Sequence, residues 1–443
     1  MVTVLLFILG VIFVAVGVAV SIALHEVGHL VPAKLFKVRV TKYMIGFGPT
    51  LWSKKKGETE YGFKAIPAGG YVAMIGMYPP NPGDGSVRPS STGMFQTLAT
   101  EARSIAHEDV GPGDENRMFY KLPVWKKIVI MLGGPFMNLL IGVVLTAVLL
   151  MGFGTPQATT TLADVNACQV AYGKPAPTDL STCDKTPAAA AGLKPGDVIT
   201  SFDGRTVTGW SDMTSWIRAS AGRDVPITVL RDGGELTLTI TPVLTARPVT
   251  DASGAVVLDD KGQAVTQQVG FIGVGPTSEM VAQPPSAVLP SVGDSMVKIS
   301  GVVLNLPQRL VGVAKAAFSS EPRDPNGPIS MVGVGRVAGE VAAMEQVPLS
   351  ARIATLVGLL AGVNLALCVF NLIPLLPLDG GHVAGALYEA ARRRVAKLFG
   401  RRDPGAFDIA KLLPLTYVVA SLLLVMGALL MYADIVKPIN IFG

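Results

Sequence analysis

Four long runs of apolar residues divide this chain into membrane-sized and polar segments. The runs lie at 2–24, 128–153, 353–373 and 412–432. Each is close to the roughly 20 residues that a helix needs to cross the hydrocarbon layer of a bilayer. The segments between the runs are polar or carry short β-prone stretches. The pattern therefore predicts an α-helical polytopic membrane protein with about four transmembrane helices.

A different pattern follows the first run. Residues 38–78 contain short β-prone stretches, such as VRVTKYMIGFG and YVAMIGM, which glycines interrupt. These features are typical of strands and hairpins. Unpaired strand edges cannot face lipid, so we expect a membrane-associated β-sheet whose edges pair with each other or with a bound peptide. Residues 79–117, which begin with PPNPGDGSVRPSST, predict a flexible loop.

The polar region after the second run has the signals of a small α+β domain. Within 186–243, GLKPGD predicts a turn before the strand VITSF, and the Asp-Gly pairs at 203–204 and 232–233 predict hairpin turns. The AGLKPGDVI stretch resembles a PDZ domain of the circularly permuted kind seen in bacterial proteases. A generic small α+β domain is the alternative.

The next segment, 246–350, is apolar in places but interrupted by charge. Lys298, Arg309 and the internal Pro307 disfavour a fifth membrane span there. We therefore expect a linker followed by amphipathic helices on the outer membrane surface.

Composition indicates the class of protein, and the placement of charge predicts its orientation in the membrane. Half of the residues are apolar and 16% are charged, and the mean hydropathy is +0.48, which is typical of a membrane protein with soluble parts. The net charge of +5 is concentrated beside the apolar runs, in 34–124 and 389–411. This placement favours contact with lipid headgroups over nucleic acid. The positive-inside rule makes both segments cytoplasmic and the region between the second and third runs extracytoplasmic.

These boundaries predict the organisation of the chain. The first transmembrane helix at 1–33 is followed by a cytoplasmic region at 34–124, with strands at 38–78 and a flexible loop at 79–117, and by a second transmembrane helix at 125–154. The extracytoplasmic part comprises a PDZ-like domain at 160–245 and a linker with amphipathic helices at 246–350. A third transmembrane helix at 351–388, a basic cytoplasmic loop at 389–411 and a fourth transmembrane helix at 412–436 complete the chain described by the pattern.

The three cysteines differ in their surroundings. Cys368 lies within an apolar run, whereas Cys168 and Cys183 lie in the polar extracytoplasmic region. The latter two can form a disulfide in an oxidising compartment, or they are two unrelated thiols. The sequence leaves both possibilities open.

The sequence HEVGH, residues 25–29, lies at the end of the first apolar run. An ionisable group at bilayer depth costs about 2.5–3.5 kcal/mol on insertion scales, so these residues need a compensating interaction. His25 and His29 share one face of a helix, a spacing that allows both imidazoles to bind one zinc ion. Glu26 beside them is suited to accept a proton from a metal-activated water.

A catalytic zinc site needs a third protein ligand. Asp379, in NLIPLLPLDGGH, is the only acidic residue between Glu345 and Glu389. The predicted topology puts it at the same depth as HEVGH, in the cytoplasmic half of the membrane. The alternatives are that Asp379 is a helix N-cap and that His382 is the third ligand.

Taken together, these motifs resemble the site-2 protease family of intramembrane zinc metalloproteases. The resemblance rests on HEVGH in the first span, GFGP and PAGGYVAMIG after it, GGPFMN in the second span, the PDZ-like region, and NLIPLLPLDGGH. It covers most of the chain, in the order of the family. One PDZ-like domain between the second and third spans is similar to the bacterial members that cut anti-sigma factors.

The resemblance implies a role for each matching residue. It implies one Zn²⁺ per chain, with His25, His29 and Asp379 as ligands and Glu26 as the catalytic base. Asn371 and Pro374 would contact the unwound substrate, and the substrate would be clamped as an added strand by residues Gly46, Phe47 and Gly48. The position of Pro377 differs from that in some relatives, so no role is assigned to it.

The implied function is regulated intramembrane proteolysis in the plasma membrane of a bacterium. The implied partners are the lipid bilayer, a single-span substrate such as an anti-sigma factor, and an upstream protease that first trims that substrate. The PDZ-like domain would act as a size filter or would bind the new C-terminus of the trimmed substrate. Two alternatives remain: a membrane metalloprotease for prenylated or misfolded proteins, and a non-catalytic metal-binding scaffold.

Overall fold

The structure is a computed structural model, and its described residues are 2–79, 113–114, 116–170, 183–249, 256–257, 259, 263–319, 323–324 and 327–439. The chain divides into two compact units. The helical unit comprises Met1–Phe153 and Pro284–Gly443, and the β unit comprises Gly154–Gln283. The flexible loop predicted at 79–117 lies almost wholly outside the described residues.

The described residues form ten α-helices and ten strands. The helices are α1 (Val2–Leu35), α2 (Val124–Ala147), α3 (Pro187–Ala191), α4 (Trp210–Ala219), α5 (Val288–Leu304), α6 (Leu306–Phe318), α7 (Met331–Ala343), α8 (Leu349–Asn371), α9 (Asp379–Leu398) and α10 (Leu413–Val436). The strands are β1 (Val40–Lys56), β2 (Thr59–Met74), β3 (Thr155–Val165), β4 (Val198–Phe202), β5 (Arg205–Thr206), β6 (Val225–Arg231), β7 (Gly234–Ile240), β8 (Val243–Pro248), β9 (Thr266–Phe271) and β10 (Val274–Val281).

Five helical segments among the described residues are long and apolar enough to cross a membrane: Val2–Leu35, Val124–Phe153, Pro285–Leu304, Leu349–Asn371 and Ile409–Val436. Four of them coincide with the predicted runs, and together with the β-sheets they confirm the polytopic architecture. The additional segment, Pro285–Leu304, falls where the sequence predicts helices on the outer membrane surface, and its hydropathy of 1.4 is the lowest of the five. Since the length and composition of this helix also allow it to cross a membrane, the number of transmembrane helices stays a prediction.

Helices α1 and α2 touch backbone to backbone. A Cβ added at Gly28 would lie 2.2 Å from the carbonyl oxygen of Gly133, and one at Gly133 would lie 1.9 Å from the carbonyl oxygen of Gly28. Small residues are typical of helix contacts in membranes, where van der Waals packing drives association. The two glycines therefore let the polar end of α1 lie directly against α2.

The sheet of the helical unit is built from β1 and β2, which pair with each other and bend sharply. Residues 42–45 pair on one side with 70–73 and on the other with 60–63, which pair in turn with 52–55. Residues 70–73 and 52–55 are therefore the two outer segments of a four-segment sheet.

The segment predicted as a third transmembrane helix at 351–388 is divided in two. Helix α8 ends at Asn371 and α9 begins at Asp379, because Pro374 and Pro377 in the connection cannot continue a helix. The first turn of α9 packs tightly on this connection. A Cβ added at Gly380 would lie 2.3 Å from the carbonyl oxygen of Ile373. This packing places Asp379 at the turn between the two helices.

The β unit is a small α+β assembly. Its larger sheet has the order β10–β3–β4–β6–β7 with β5 beside β4, and β8 pairs with β9. Helix α4 contributes Met213 and Ile217 to a core that includes Phe202 and Ile227. Cys168 and Cys183 are joined in a disulfide. The structure therefore contains the bond that the sequence leaves open as one of two possibilities. The assignment of this unit as a PDZ domain stays a prediction.

Asp197, which is almost fully buried, forms the main ion pair of the β unit. Its two carboxylate oxygens accept hydrogen bonds from Nε and Nη2 of Arg231, both at 2.7 Å, and the backbone N–H of Lys194 donates a third at 2.8 Å. The hydrogen bonds from Arg231 lower the pKa of Asp197 below its ordinary 3.8. The pair therefore stabilises the fold above the ordinary pKa, and this contribution is lost as pH falls through the lowered value.

We predict that Asp197→Asn destabilises the β unit at neutral pH. Amide hydrogen exchange of peptides from 183–249 in the full chain should accelerate about tenfold, because hydrogen bonds to charged groups contribute more than neutral ones. The difference from the unchanged chain should disappear as the pH is lowered below the ordinary aspartate range. Asp203→Asn is the matched control, since its pair with Arg223 is more exposed and such pairs contribute little. Equal acceleration in both variants would contradict the prediction.

Candidate metal centre

Helix α1 presents two imidazoles to one point. The Nε2 atoms of His25 and His29 lie 3.3 Å apart, as the spacing of one helical turn allows. Apolar residues on both sides keep this segment helical up to Leu35, so the polar residues are part of a continuous α1.

Asp379 completes the cluster from the first turn of α9. Its Oδ2 atom lies 3.3 Å from Nε2 of His25 and 3.4 Å from Nε2 of His29. The capping residue of α9 is Leu378, so Asp379 is not the helix N-cap considered as an alternative. The structure thus brings together the three predicted ligands from distant parts of the chain.

The spacing of these atoms fits a tetrahedral zinc ion. With bonds of about 2.1 Å, neighbouring ligand atoms of a tetrahedron lie about 3.4 Å apart. The three measured separations are 3.3, 3.3 and 3.4 Å. Three protein ligands leave the fourth position for water or substrate, which is typical of catalytic zinc.

Gly134 of α2 leaves the space in front of the ligand atoms free. A Cβ at this position would lie 2.3 Å from Nε2 of His29 and 2.6 Å from Nε2 of His25. Any larger residue would therefore occupy the place where the ion and its ligands meet.

The outer nitrogens of both histidines contact α2. Nδ1 of His29 lies 2.8 Å from the carbonyl oxygen of Ile130, and Nδ1 of His25 lies 3.1 Å from the side-chain amide of Asn138. Asn138 is the last residue of the GGPFMN motif, but the sequence does not mark it as part of the site. Its contact with His25 joins two separate helices, so no local pattern indicates it.

His382 lies outside the ligand cluster, which among the described residues comprises His25, His29 and Asp379. The side chain of His382 lines a small cavity with Lys127 and Glu389. The structure therefore favours Asp379 over His382 as the third ligand.

An apolar cavity of about 850 Å³ leads along α1 to the cluster. Its walls include Val11 and Val18 of α1 and Val332 and Arg336 of α7, and the polar residues near the cluster are His25, Glu26, Asn138 and Asn371, with Gly70 beside them. Of the predicted substrate residues, Asn371 lies in this cavity. Pro374 lines a different pocket of about 320 Å³.

Gly46 and Gly48 lie at the bend of β1, with φ angles of +93° and +84°. Neither they nor Phe47 are among the described residues that line the cavity, where Gly69 and Gly70 of β2 appear instead. A Cβ at Gly70 would lie 2.8 Å from Cγ of the buried Glu26. Gly70, the first residue of the outer segment 70–73, therefore lies beside Glu26, a result of strand bending that the sequence does not reveal.

Comparison with known proteins gives a consistent result. The model of peptidase family M50 matches residues 13–402. The zinc metalloprotease Rip1 of Mycobacterium tuberculosis is 33% identical over 99% of this chain and 100% of its own length. Rip1 of Mycolicibacterium smegmatis is 31% identical over 99% of this chain and 100% of its length. Metalloprotease MmpA of Caulobacter vibrioides is 28% identical over 85% of each chain.

We predict that Gly134→Ala removes zinc binding from the full chain. Zinc affinity should fall by more than about 100-fold, because the added methyl group would displace both ligand nitrogens from the ion. Competition with a chromophoric chelator measures this affinity. Gly142→Ala in the same helix is the control, since its Cβ would press on the flexible side chain of Leu365. Unchanged affinity in Gly134→Ala would show that the ion binds elsewhere.

Proposed function

The chain belongs to peptidase family M50 and is a zinc metalloendopeptidase, and we propose that it cuts the transmembrane segments of single-span membrane proteins. The observation that carries this proposal is the cluster of His25, His29 and Asp379 at the polar end of an apolar cavity. The cavity follows a helix that is long enough to cross a membrane. Family membership sets aside the non-catalytic scaffold considered from the sequence.

The predicted ligands, Glu26 and Asn371 each have a proposed role. His25, His29 and Asp379 would hold the ion. When bound, zinc polarises the scissile carbonyl and lowers the pKa of the attacking water. Glu26 accepts a proton from that water and passes it to the leaving amine. Asn371, at the end of α8, contacts the substrate next to the cleaved bond.

The substrate helix must open before it can be cut, because its amides are hydrogen-bonded within the helix. We propose that the unwound part pairs with the outer sheet segment 70–73 as an added strand. The ring of Phe47 stacks on Tyr71 with centroids 6.4 Å apart, so Gly46, Phe47 and Gly48 would support this segment from behind. Pro374 would hold open the connection that follows Asn371.

Two observations support a proposed orientation of the protein in the membrane. Basic residues cluster in 34–124 and 389–411, which favours a cytoplasmic location for both. The disulfide in the β unit favours an oxidising, extracytoplasmic location for that unit. We therefore propose a bacterial plasma-membrane enzyme whose active site lies in the cytoplasmic half of the membrane.

The proposed substrate is an anti-sigma factor that an upstream protease has already trimmed outside the membrane. A single PDZ-like unit between the second and third predicted spans supports this assignment by resemblance. We propose that the unit filters substrates by size; capture of the new C-terminus is the competing role.

We predict that Glu26→Gln retains zinc and loses cleavage. The amide keeps the shape of the side chain but cannot accept the proton, so the rate should fall by at least about 100-fold. Zinc content and cleavage of a single-span reporter in liposomes measure the two properties. Glu235→Gln is the control, because Glu235 is an exposed residue of β7 and is not among the described residues that line the cavity. Full cleavage by Glu26→Gln would reject the role of this residue.

We further predict that replacing 155–282 with a flexible linker allows cleavage of untrimmed substrates. Under the filter role, the shortened enzyme should cut a reporter that still carries its outer domain. Adding Glu26→Gln to the shortened enzyme controls for other proteases. If trimmed reporters are instead cut more slowly and untrimmed ones remain intact, the unit captures its substrate rather than filtering it.

A further inference from the structure

Helix α2 lies behind both metal-facing histidines. It contacts the Nδ1 atom of His29 through the carbonyl oxygen of Ile130, and the Nδ1 atom of His25 through the amide of Asn138. The two contacts are about two helical turns apart on α2. Asn138 is only 1% exposed, so its amide is a buried polar group whose partners matter.

The ligand geometry determines the protonation of each ring. The Nε2 atoms of both histidines face each other and Asp379, so these atoms need free lone pairs to bind a metal. In a neutral imidazole the proton then resides on Nδ1. His29 fits this requirement, because its Nδ1–H donates to the carbonyl oxygen of Ile130 at 2.8 Å.

His25 needs an acceptor at the corresponding position. The amide atom nearest its Nδ1 is Nδ2 of Asn138, at 3.1 Å, and Nδ2 is itself a donor. At the same time Oδ1 of Asn138 is buried and has no hydrogen-bond partner among the described residues. Rotating the amide by half a turn exchanges these atoms, which have nearly the same size. The exchange gives His25 its acceptor and gives Oδ1 its donor.

We propose that Asn138 is a positioning residue whose amide oxygen accepts the Nδ1–H of His25. This contact holds the imidazole in the tautomer and orientation that direct Nε2 to the metal. The inference rests on the zinc site assigned above and adds a residue on α2 to the three ligands. Partners of this kind orient metal-binding histidines and affect metal affinity by about 10–100-fold.

The test is zinc affinity of the full chain in detergent, measured by chelator competition on three variants. Asn138→Leu keeps the volume and removes the acceptor, so affinity should fall by about 10–100-fold. Asn138→Asp restores an acceptor of the same shape, so affinity should equal or exceed that of the unchanged chain. Asn364→Leu is the matched control: Asn364 is also buried and also bonds to α1, but its partner is Ser21, one helical turn before His25, and not a ligand histidine. Its affinity should not change.

Two results would overturn the proposal. Unchanged affinity in Asn138→Leu would show that His25 needs no partner, and an equal loss in Asn138→Asp and Asn138→Leu would show that packing, rather than the acceptor, matters. If Asn138→Leu does not fold, Asn138→Asp decides alone, since a loss of tenfold or more contradicts the role. The experiment measures zinc binding and not cleavage. A failure of the proposal for Asn138 would therefore not contradict the proposed proteolysis, and a failure to cleave membrane substrates would not change the zinc affinities.

Discussion

The convergence of one carboxylate and two imidazoles from distant parts of the chain is the constraint on which the rest of the molecule depends. Each of these groups would be costly inside a bilayer on its own. Together they form a ligand set whose separations match a tetrahedral ion, so a bound cation compensates for what the lipid disfavours. Because Asp379 comes from another part of the chain, α1 and the turn between α8 and α9 must meet at one place.

Close backbone contact makes this meeting possible. Gly28 and Gly133 bring α1 and α2 together, Gly134 leaves the space in front of the ligands, and Gly380 lets α9 begin against the preceding connection. In lipid there is little hydrophobic force between helices, so association relies on such tight packing and on buried polar contacts. The glycines near the site therefore act through the space they leave free.

The parts of the site that lie on one helix could be predicted from the sequence. The spacing of His25 and His29 puts them on one face, and Glu26 is their direct neighbour. The hairpin turns at the Asp-Gly pairs 203–204 and 232–233 could also be predicted from the sequence. Both aspartates and both glycines have positive φ angles, as these turns require. Asp379 could be selected because it is the only acidic residue between Glu345 and Glu389, and the structure brings it to His25 and His29.

Contacts between distant segments could not be predicted in the same way. The order of the four sheet segments depends on bends and bulges in β1 and β2, which decide that Gly70, rather than Gly46, lies beside Glu26. The contact of Asn138 with His25 depends on how two helices pack. Whether Pro285–Leu304 spans the membrane is hard to predict because its mean hydropathy is the lowest of the five candidate helices. Its length favours a span, whereas its internal charge disfavours one.

The proposed chemistry explains why a sheet and a metal site lie next to each other. A peptide bond inside a helix has its carbonyl and amide hydrogen-bonded, and exposing them within the membrane leaves them without partners. A sheet edge offers replacement hydrogen bonds at the place where the helix opens. In this enzyme Gly70 of the segment 70–73 lies beside Glu26, so the groups that unwinding releases would be paired again beside the proposed base. Placing both at the polar end of an apolar cavity lets the rest of the substrate remain a helix.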